Sequence, residues 1–338
     1  MTIPPLAGIC TYEQAAVPGL SVEDTVDRLV RYAWVEKRIM EIALYWLNPT
    51  PEWEIKEALS LHTYLAAQHA QQFRTRVSEM RNPPPNMTLS PDARLDAFFD
   101  ELLTAETTAE KLVALYGVLK PALLAAYQSH FAESNPLVDY PTRRILRLMI
   151  LEEEEAVAWG QQAIAALPDA PESEIFADHL RDYLRAAGGI TGTVACSPSL
   201  LAESDQKKSP REGLGVKALP PSRVRAPFTP DYFPRRDERF EQRENFNFPP
   251  HTAARHEAAS TPEKTLALMC KRALEMDVPE AMARMIAEAG EQPWEFYVDM
   301  TRQLWDECRH SMMGAVYFEH HGIDWKREIA LHTGFSIT

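Results

Sequence analysis

An all-α fold is predicted by three features of this 338-residue chain. Only 13 glycines occur, and the strong helix formers Ala, Leu, Glu and Met fill the long segments. Apolar residues return at alternating spacings of three and four, the period of a helix with one buried face. Prolines gather in a few turns and one long stretch, leaving the periodic text nearly free of them. Hydrophobic residues make up 45% of the chain, enough for a sizeable core.

Taken in order, the first helix is the clearest. Ser21 followed by Asp24 resembles a capping box with Asp in place of Glu, and Val22, Val26, Leu29, Ala33, Met40, Ala43 and Leu47 then mark one face. Glu36 falls in that apolar series. After the turn NPTPEW a second helix runs to about Met80, with Ile55, Leu59, Ala66 and Phe73 on its inner stripe and His62 and His69 in the same series. The prolines of RNPPPN end this hairpin. A third long helix is predicted near 108–133, kinked at Pro121, with no carboxylate in its middle. A fourth starts after Asp139, read as its N-cap, and carries Ile145, Met149, Ala156, Gly160 and Ala163 on one face, with Glu152 or Glu153 on or near it. A shorter helix at 172–187 ends at Gly188 and Gly189.

From 190 to 260 the periodicity dissolves into Ser, Pro and charge, which reads as an extended connection. Its aromatics, Phe228, Tyr232, Phe233, Phe240, Phe246 and Phe248, argue that parts of it lie on the folded body. The last hairpin pairs a helix at 262–289 with one at 294–321 across GEQPWE. DVPE reads as Asp277 capping a restarted helix, with Glu280 three residues on. The predicted organisation is therefore an N-terminal segment (1–20), two helical hairpins (21–189), the connection (190–260), a C-terminal hairpin (261–322) and a tail (323–338).

Charge narrows the function classes. Lys and Arg total 35 against 49 Asp and Glu, a formal charge of -14, which disfavours nucleic acid or anionic lipid as the main partner. A small molecule, a cation or another protein fits better. Cys10, Cys196, Cys270 and Cys308 are scattered and form no C-x-x-C, so neither a disulfide framework nor a thiolate zinc site is indicated. No segment reaches the ~18 apolar residues of a membrane span. The expectation is a soluble protein of the reducing cytoplasm.

The strict E-x-x-H of the chain lies in RQLWDECRHSMMG. Met300, Gln303, Glu307, His310, Gly314, Tyr317 and His321 follow helical spacings, which predicts that Glu307 and His310 share an inward face. A buried carboxylate is costly unless it is paired, protonated or bound to a cation, and a metal removes that cost. In an antiparallel hairpin, residues at one height lie equally far from the loop. Reflecting Glu307 and His310 about Gln292 lands near Glu275; reflecting Glu36 about Pro51 lands at Ala66, between His62 and His69. Reflecting Glu152 to Glu155 about Pro136 lands on Leu119 to Pro121, where no carboxylate or histidine stands.

The segments RYAWVEKRIMEIALYW, LHTYLAAQHAQQFRTRVSEMR, PTRRILRLMILEEEEAVAWG and PWEFYVDMTRQLWDECRHSMMG resemble ferritin-like domain proteins, the helical carboxylate-bridged metal proteins. The likeness covers most of 20–190 and 260–325. It implies a ferritin-like antiparallel bundle of three hairpins, holding two iron ions or an Fe/Mn pair through a Glu from each of two helices and an E-x-x-H from each of the others. Carried over by position, the implied ligands are Glu36, His69, Glu275, Glu307 and His310. Ala66 supplies no oxygen, so the set is one carboxylate short unless Glu152 or Glu153 substitutes. The implied function is a metal-dependent oxidoreductase that uses O2 to oxidise a small organic substrate, with a homodimer compatible. The alternative is a non-catalytic helical scaffold or binding protein with a degenerate site and no metal.

Overall fold

The computed structural model describes residues 3–192, 219–240 and 259–328, and among them every regular element is a helix. The helices are α1 (Tyr12–Ala16), α2 (Val22–Leu47), α3 (Trp53–Met80), α4 (Ala93–Leu102), α5 (Thr108–Leu112), α6 (Lys120–Glu133), α7 (Tyr140–Ala166), α8 (Ala170–Ala186), α9 (Thr261–Leu274), α10 (Asp277–Glu288), α11 (Trp294–His320) and α12 (Trp325–Glu328). A π-helical stretch, Val113–Leu119, joins α5 to α6. None of these helices is long and apolar enough to cross a membrane.

Local chemistry accounts for the ends. Ser21 Oγ accepts the Asp24 amide at 3.0 Å, but Asp24 is too short to return the bond to the Ser21 amide and instead takes the hydroxyl proton at 2.7 Å. Asp139 is the N-cap residue of α7, as expected, but its side chain makes no capping hydrogen bond; its carboxylate instead accepts the Asn135 amide at 2.9 Å and shapes the preceding turn. Gly188 and Gly189 have φ of 77° and 73°, a left-handed turn beyond α8 that residues with a Cβ adopt reluctantly. The expected long third helix is two helices and a π turn, and Pro121 sits in the first turn of α6. Residues 108–133 are helical without a break, and Pro121 falls just after the π-helical stretch.

Two compact units divide the chain: Met1–Glu36 with Gln72–Phe228, and Lys37–Gln71 with Thr229–Thr338. Both α2 and α3 run unbroken through the division. In the first unit α6 and α7 pair, and α8 packs on the π turn and α4. Tyr32, Phe73 and Tyr127 form its aromatic centre, with ring centroids 4.9–5.5 Å apart. Arg31 donates to the Ile190 carbonyl at 2.8 Å and meets Asp92 at 3.2 Å, holding the chain after α8. The connection returns at residues 219–228, where buried Glu101 accepts the Ser222 hydroxyl (2.7 Å), the Arg223 amide (2.6 Å) and an imidazole hydrogen bond from His179 (2.8 Å).

In the second unit α9 and α11 pack so closely that a Cβ on Gly314 would stand 2.4 Å from the Ala273 amide nitrogen. Phe240 is buried between Trp53 and Trp325, at centroid distances of 5.1 and 5.7 Å. Among the connection's aromatics Tyr232 is half-buried, Phe228 and Phe233 are exposed, and Phe246 and Phe248 lie outside the described residues. A buried charge network pins the connection here. Glu280 meets Arg236 at 2.5 and 2.8 Å and Lys56 at 2.9 Å, and Lys56 donates to the Leu47 and Asn48 carbonyls across the α2–α3 turn. Burial alone would raise the Glu280 carboxyl; Arg236 and Lys56 override it and hold the group below its ordinary value.

Candidate metal centre

Among the described residues, the carboxylates and imidazoles singled out in the sequence fall in both units: Glu36 and Glu153, buried, in the first; His69, buried, in the second; and Glu275, Glu307 and His310, half-buried, together in the second. One ligand atom from each of Glu275, Glu307 and His310 lies within 4.8 Å of the others, as do those of Glu36 and Glu153.

The buried set begins on α2. Val26, Leu29, Ala33, Met40, Ala43 and Leu47 are buried as the periodicity requires, and Glu36 shares their face at 0% exposure. Tyr127 donates to Glu36 Oε1 at 2.7 Å. On α3, Ile55, Leu59, His62, Ala66, His69 and Phe73 are all buried, and His69 stands one turn before the helix enters the first unit. On α7 the buried series is Met149, Glu153, Ala156 and Gly160, at steps of four, three and four. Glu153 therefore faces inward, whereas Glu152, one position and ~100° around the helix, is half-buried and outside both sets. On α6, Lys120, Leu123, Tyr127 and His130 form the buried stripe. Lys120 Nζ meets Glu153 Oε1 at 2.7 Å, with side-chain exposures of 1% and 2%. Burial, with the carboxylates of Glu36 and Glu153 nearby, pushes the Tyr127 phenol well above its ordinary value, so it remains a protonated donor.

The half-buried set is wholly in the second unit. Glu275 follows α9 at its C-cap, and Glu307 and His310 lie one turn apart on α11. His310 Nδ1 is 3.1 Å from Glu307 Oε2 and 3.6 Å from Glu275 Oε2, and Arg272 also pairs with Glu275 at 2.6 Å. The inward stripe of α11 is Thr301, Leu304, Cys308, Ser311, Gly314 and Phe318. It is rotated by about one residue from the stripe read in the sequence, so Cys308, expected off the face, is core, and His310 keeps 36% of its side chain exposed. Leu304 and Phe318 decided the rotation, because burying them outweighs burying a carboxylate and an imidazole. Glu280, on the restarted helix after Glu275, is the centre of the Lys56–Arg236 network.

Two residues of the buried centre, Lys120 and Tyr127, were missed. The available signal was a single lysine inside the apolar run LYGVLKPALLAAY, at the height that the reflection of Glu152 to Glu155 picked out. Compared with protein-family models, curated proteins and solved structures, the chain matches none.

The donor chemistry fits one hard or borderline divalent ion. The buried carboxylate oxygens of Glu36 and Glu153 suit Fe or Mn better than soft, thiolate-seeking metals. It does not supply the additional carboxylates of a bridged pair, since Ala66 stands where the second helix would offer one.

Proposed function

We propose that the chain is a metal-dependent oxidoreductase of ferritin-like architecture that uses O2 to oxidise a small organic substrate. The observation that carries this is the fully buried meeting of Glu36 and Glu153. Glu36 and Glu153 would hold the ion through oxygen, and His69, the nitrogen ligand that the sequence resemblance implies, would complete the set. An iron or manganese ion bound there supplies electrons to O2 and Lewis acidity to the substrate. The chain's own residues set the conditions: Tyr127 orients Glu36 by donating to one of its oxygens, Lys120 fixes Glu153, and the aromatic packing of Tyr32, Phe73 and Tyr127 excludes water.

A second reading follows from the same contacts. Tyr127 and Lys120 already engage one oxygen of each carboxylate, so the cluster can serve as a metal-free ion-pair network in a helical scaffold or binding protein. Elemental analysis of protein purified from iron- and manganese-supplemented growth separates the two. The oxidoreductase reading expects bound transition metal that is lost in Glu36→Gln and His69→Ala, and O2 consumption after reduction. Metal-free wild-type protein whose melting temperature ignores added Fe(II) and Mn(II) supports the scaffold.

A further inference from the structure

We infer that the Lys120 ammonium occupies the place of a second metal ion, so that this centre is a one-metal site with a fixed organic cation. The inference rests on the metal-binding reading above and deepens it. In the antiparallel α6–α7 pair, Lys120 lies at the height of Glu153, and its Nζ sits 2.7 Å from Oε1, the distance of a charge-assisted hydrogen bond. Both side chains are almost fully buried, so the pairing is not a solvated surface contact. An ammonium carries three donors and no lone pair, so it cannot ligate a metal and can only neutralise a carboxylate.

Charge and geometry agree. As formal charges, Glu36, Glu153 and Lys120 sum to one negative unit. One divalent ion turns this into one unit of positive charge; two ions would leave three units among almost fully buried side chains, a cost far above that of either other state. The π turn Val113–Leu119 ends at Lys120 itself, and the α-helical spacing that follows puts Lys120 and Tyr127 two turns apart on one buried stripe. One supports Glu153, the other Glu36. The two helices that would each contribute a carboxylate to a bridged pair thus present Ala66 and Lys120.

The test uses Mn(II) alone with the full chain, in a Glu307→Gln/His310→Ala background that removes the half-buried set. Equilibrium dialysis with elemental analysis gives the stoichiometry, and electron paramagnetic resonance distinguishes an isolated Mn(II) from a coupled pair. One Mn(II) per chain with the isolated six-line signal is expected. Lys120→Glu, which exchanges the ammonium for a carboxylate, is expected to bind two with a coupled signal. Two ions in the parent protein, or one ion in both proteins, would overturn the role of Lys120 while leaving the metal-binding reading intact. No ion in the parent protein defeats that reading itself. If Lys120→Glu fails to fold without metal, the parent stoichiometry and Lys120→Gln, uncharged and one atom shorter, decide: Lys120→Gln is expected to bind Mn(II) at least about tenfold more tightly, and unchanged affinity counts against the inference.

Discussion

Replacing Glu280 by alanine should be the most damaging single substitution in the second unit. The Glu280 carboxylate is 1% exposed and serves two buried cations, with Arg236 at 2.5 and 2.8 Å and Lys56 at 2.9 Å. Removing one partner of a buried ion pair costs about 3–5 kcal/mol, chiefly because the other charge is left without compensation. Here one deletion strips two cations. Lys56 keeps the Leu47 and Asn48 carbonyls, and Arg236 keeps the Arg235 carbonyl and a 3.5 Å contact to Asp277, so neither is wholly abandoned. We therefore expect a loss near the top of that range, about 5 kcal/mol, against the 5–15 kcal/mol that typically stabilises a domain. Urea unfolding followed by tryptophan fluorescence reads this unit directly, since Arg236 lies over the Trp53 ring at 5.2 Å. The triple variant Lys56→Met, Arg236→Met, Glu280→Met removes every charge together and should recover most of the loss, because hydrophobic replacement of a whole buried network is often neutral or better. A Glu280→Ala protein within about 1 kcal/mol of wild type, or a triple variant no better than the single one, would refute this account.

Three further outcomes are expected. His130 is fully buried with neither ring nitrogen hydrogen-bonded, and burial followed by the Arg28 charge lowers its pKa from 6.5 to about 4. Above pH 6.5 both folded and unfolded chains hold it neutral; as pH falls toward about 4 only the unfolded chain gains the proton, so stability drops by up to about 3 kcal/mol. His130→Phe should flatten that acid limb in urea melts at about pH 7 and pH 4.5, and an unchanged limb would exclude His130 as its source. Gly314→Ala drives a Cβ into the Ala273 backbone and the Met269 carbonyl, neither of which can swing aside, so it should cost about 1–3 kcal/mol in thermal or urea unfolding. Glu101→Ala deletes three hydrogen bonds, two of them to Ser222 and Arg223, and should raise tryptic cleavage at Arg223 and Arg225 by about tenfold or more; an unchanged digestion pattern would mean that other contacts hold the segment.

Much of the fold was legible because helix periodicity is a local property. The faces of α2 and α3 were readable to the residue, including Glu36 and His69, since every other member of those series except His62 is apolar. On α7 the series Met149, Ala156, Gly160 left Glu152 and Glu153 in competition, and only the packed helix chose Glu153. On α11 the stripe read in the sequence lay about one residue from the buried one, where Leu304, Cys308 and Phe318 prevailed. The connection's anchors were half legible: its aromatics pointed to the folded body, but Arg236 reaching Glu280 and Ser222 reaching Glu101 join residues 44 and 121 apart in sequence.

By itself the sequence determined the helical class, the positions of most helices and the inward direction of a few acids and imidazoles, because propensity, capping and the 3.6-residue period act within one or two turns. The tertiary structure decided which of those inward groups meet. It gathered Glu36 and Glu153 with Lys120 and Tyr127 in the first unit and left Glu275, Glu307 and His310 together in the second. A lysine in an apolar helix reads locally as a defect. It becomes the partner of Glu153 only once α6 and α7 lie side by side, because a buried charge is settled by its neighbour in space, not by its neighbours in the chain.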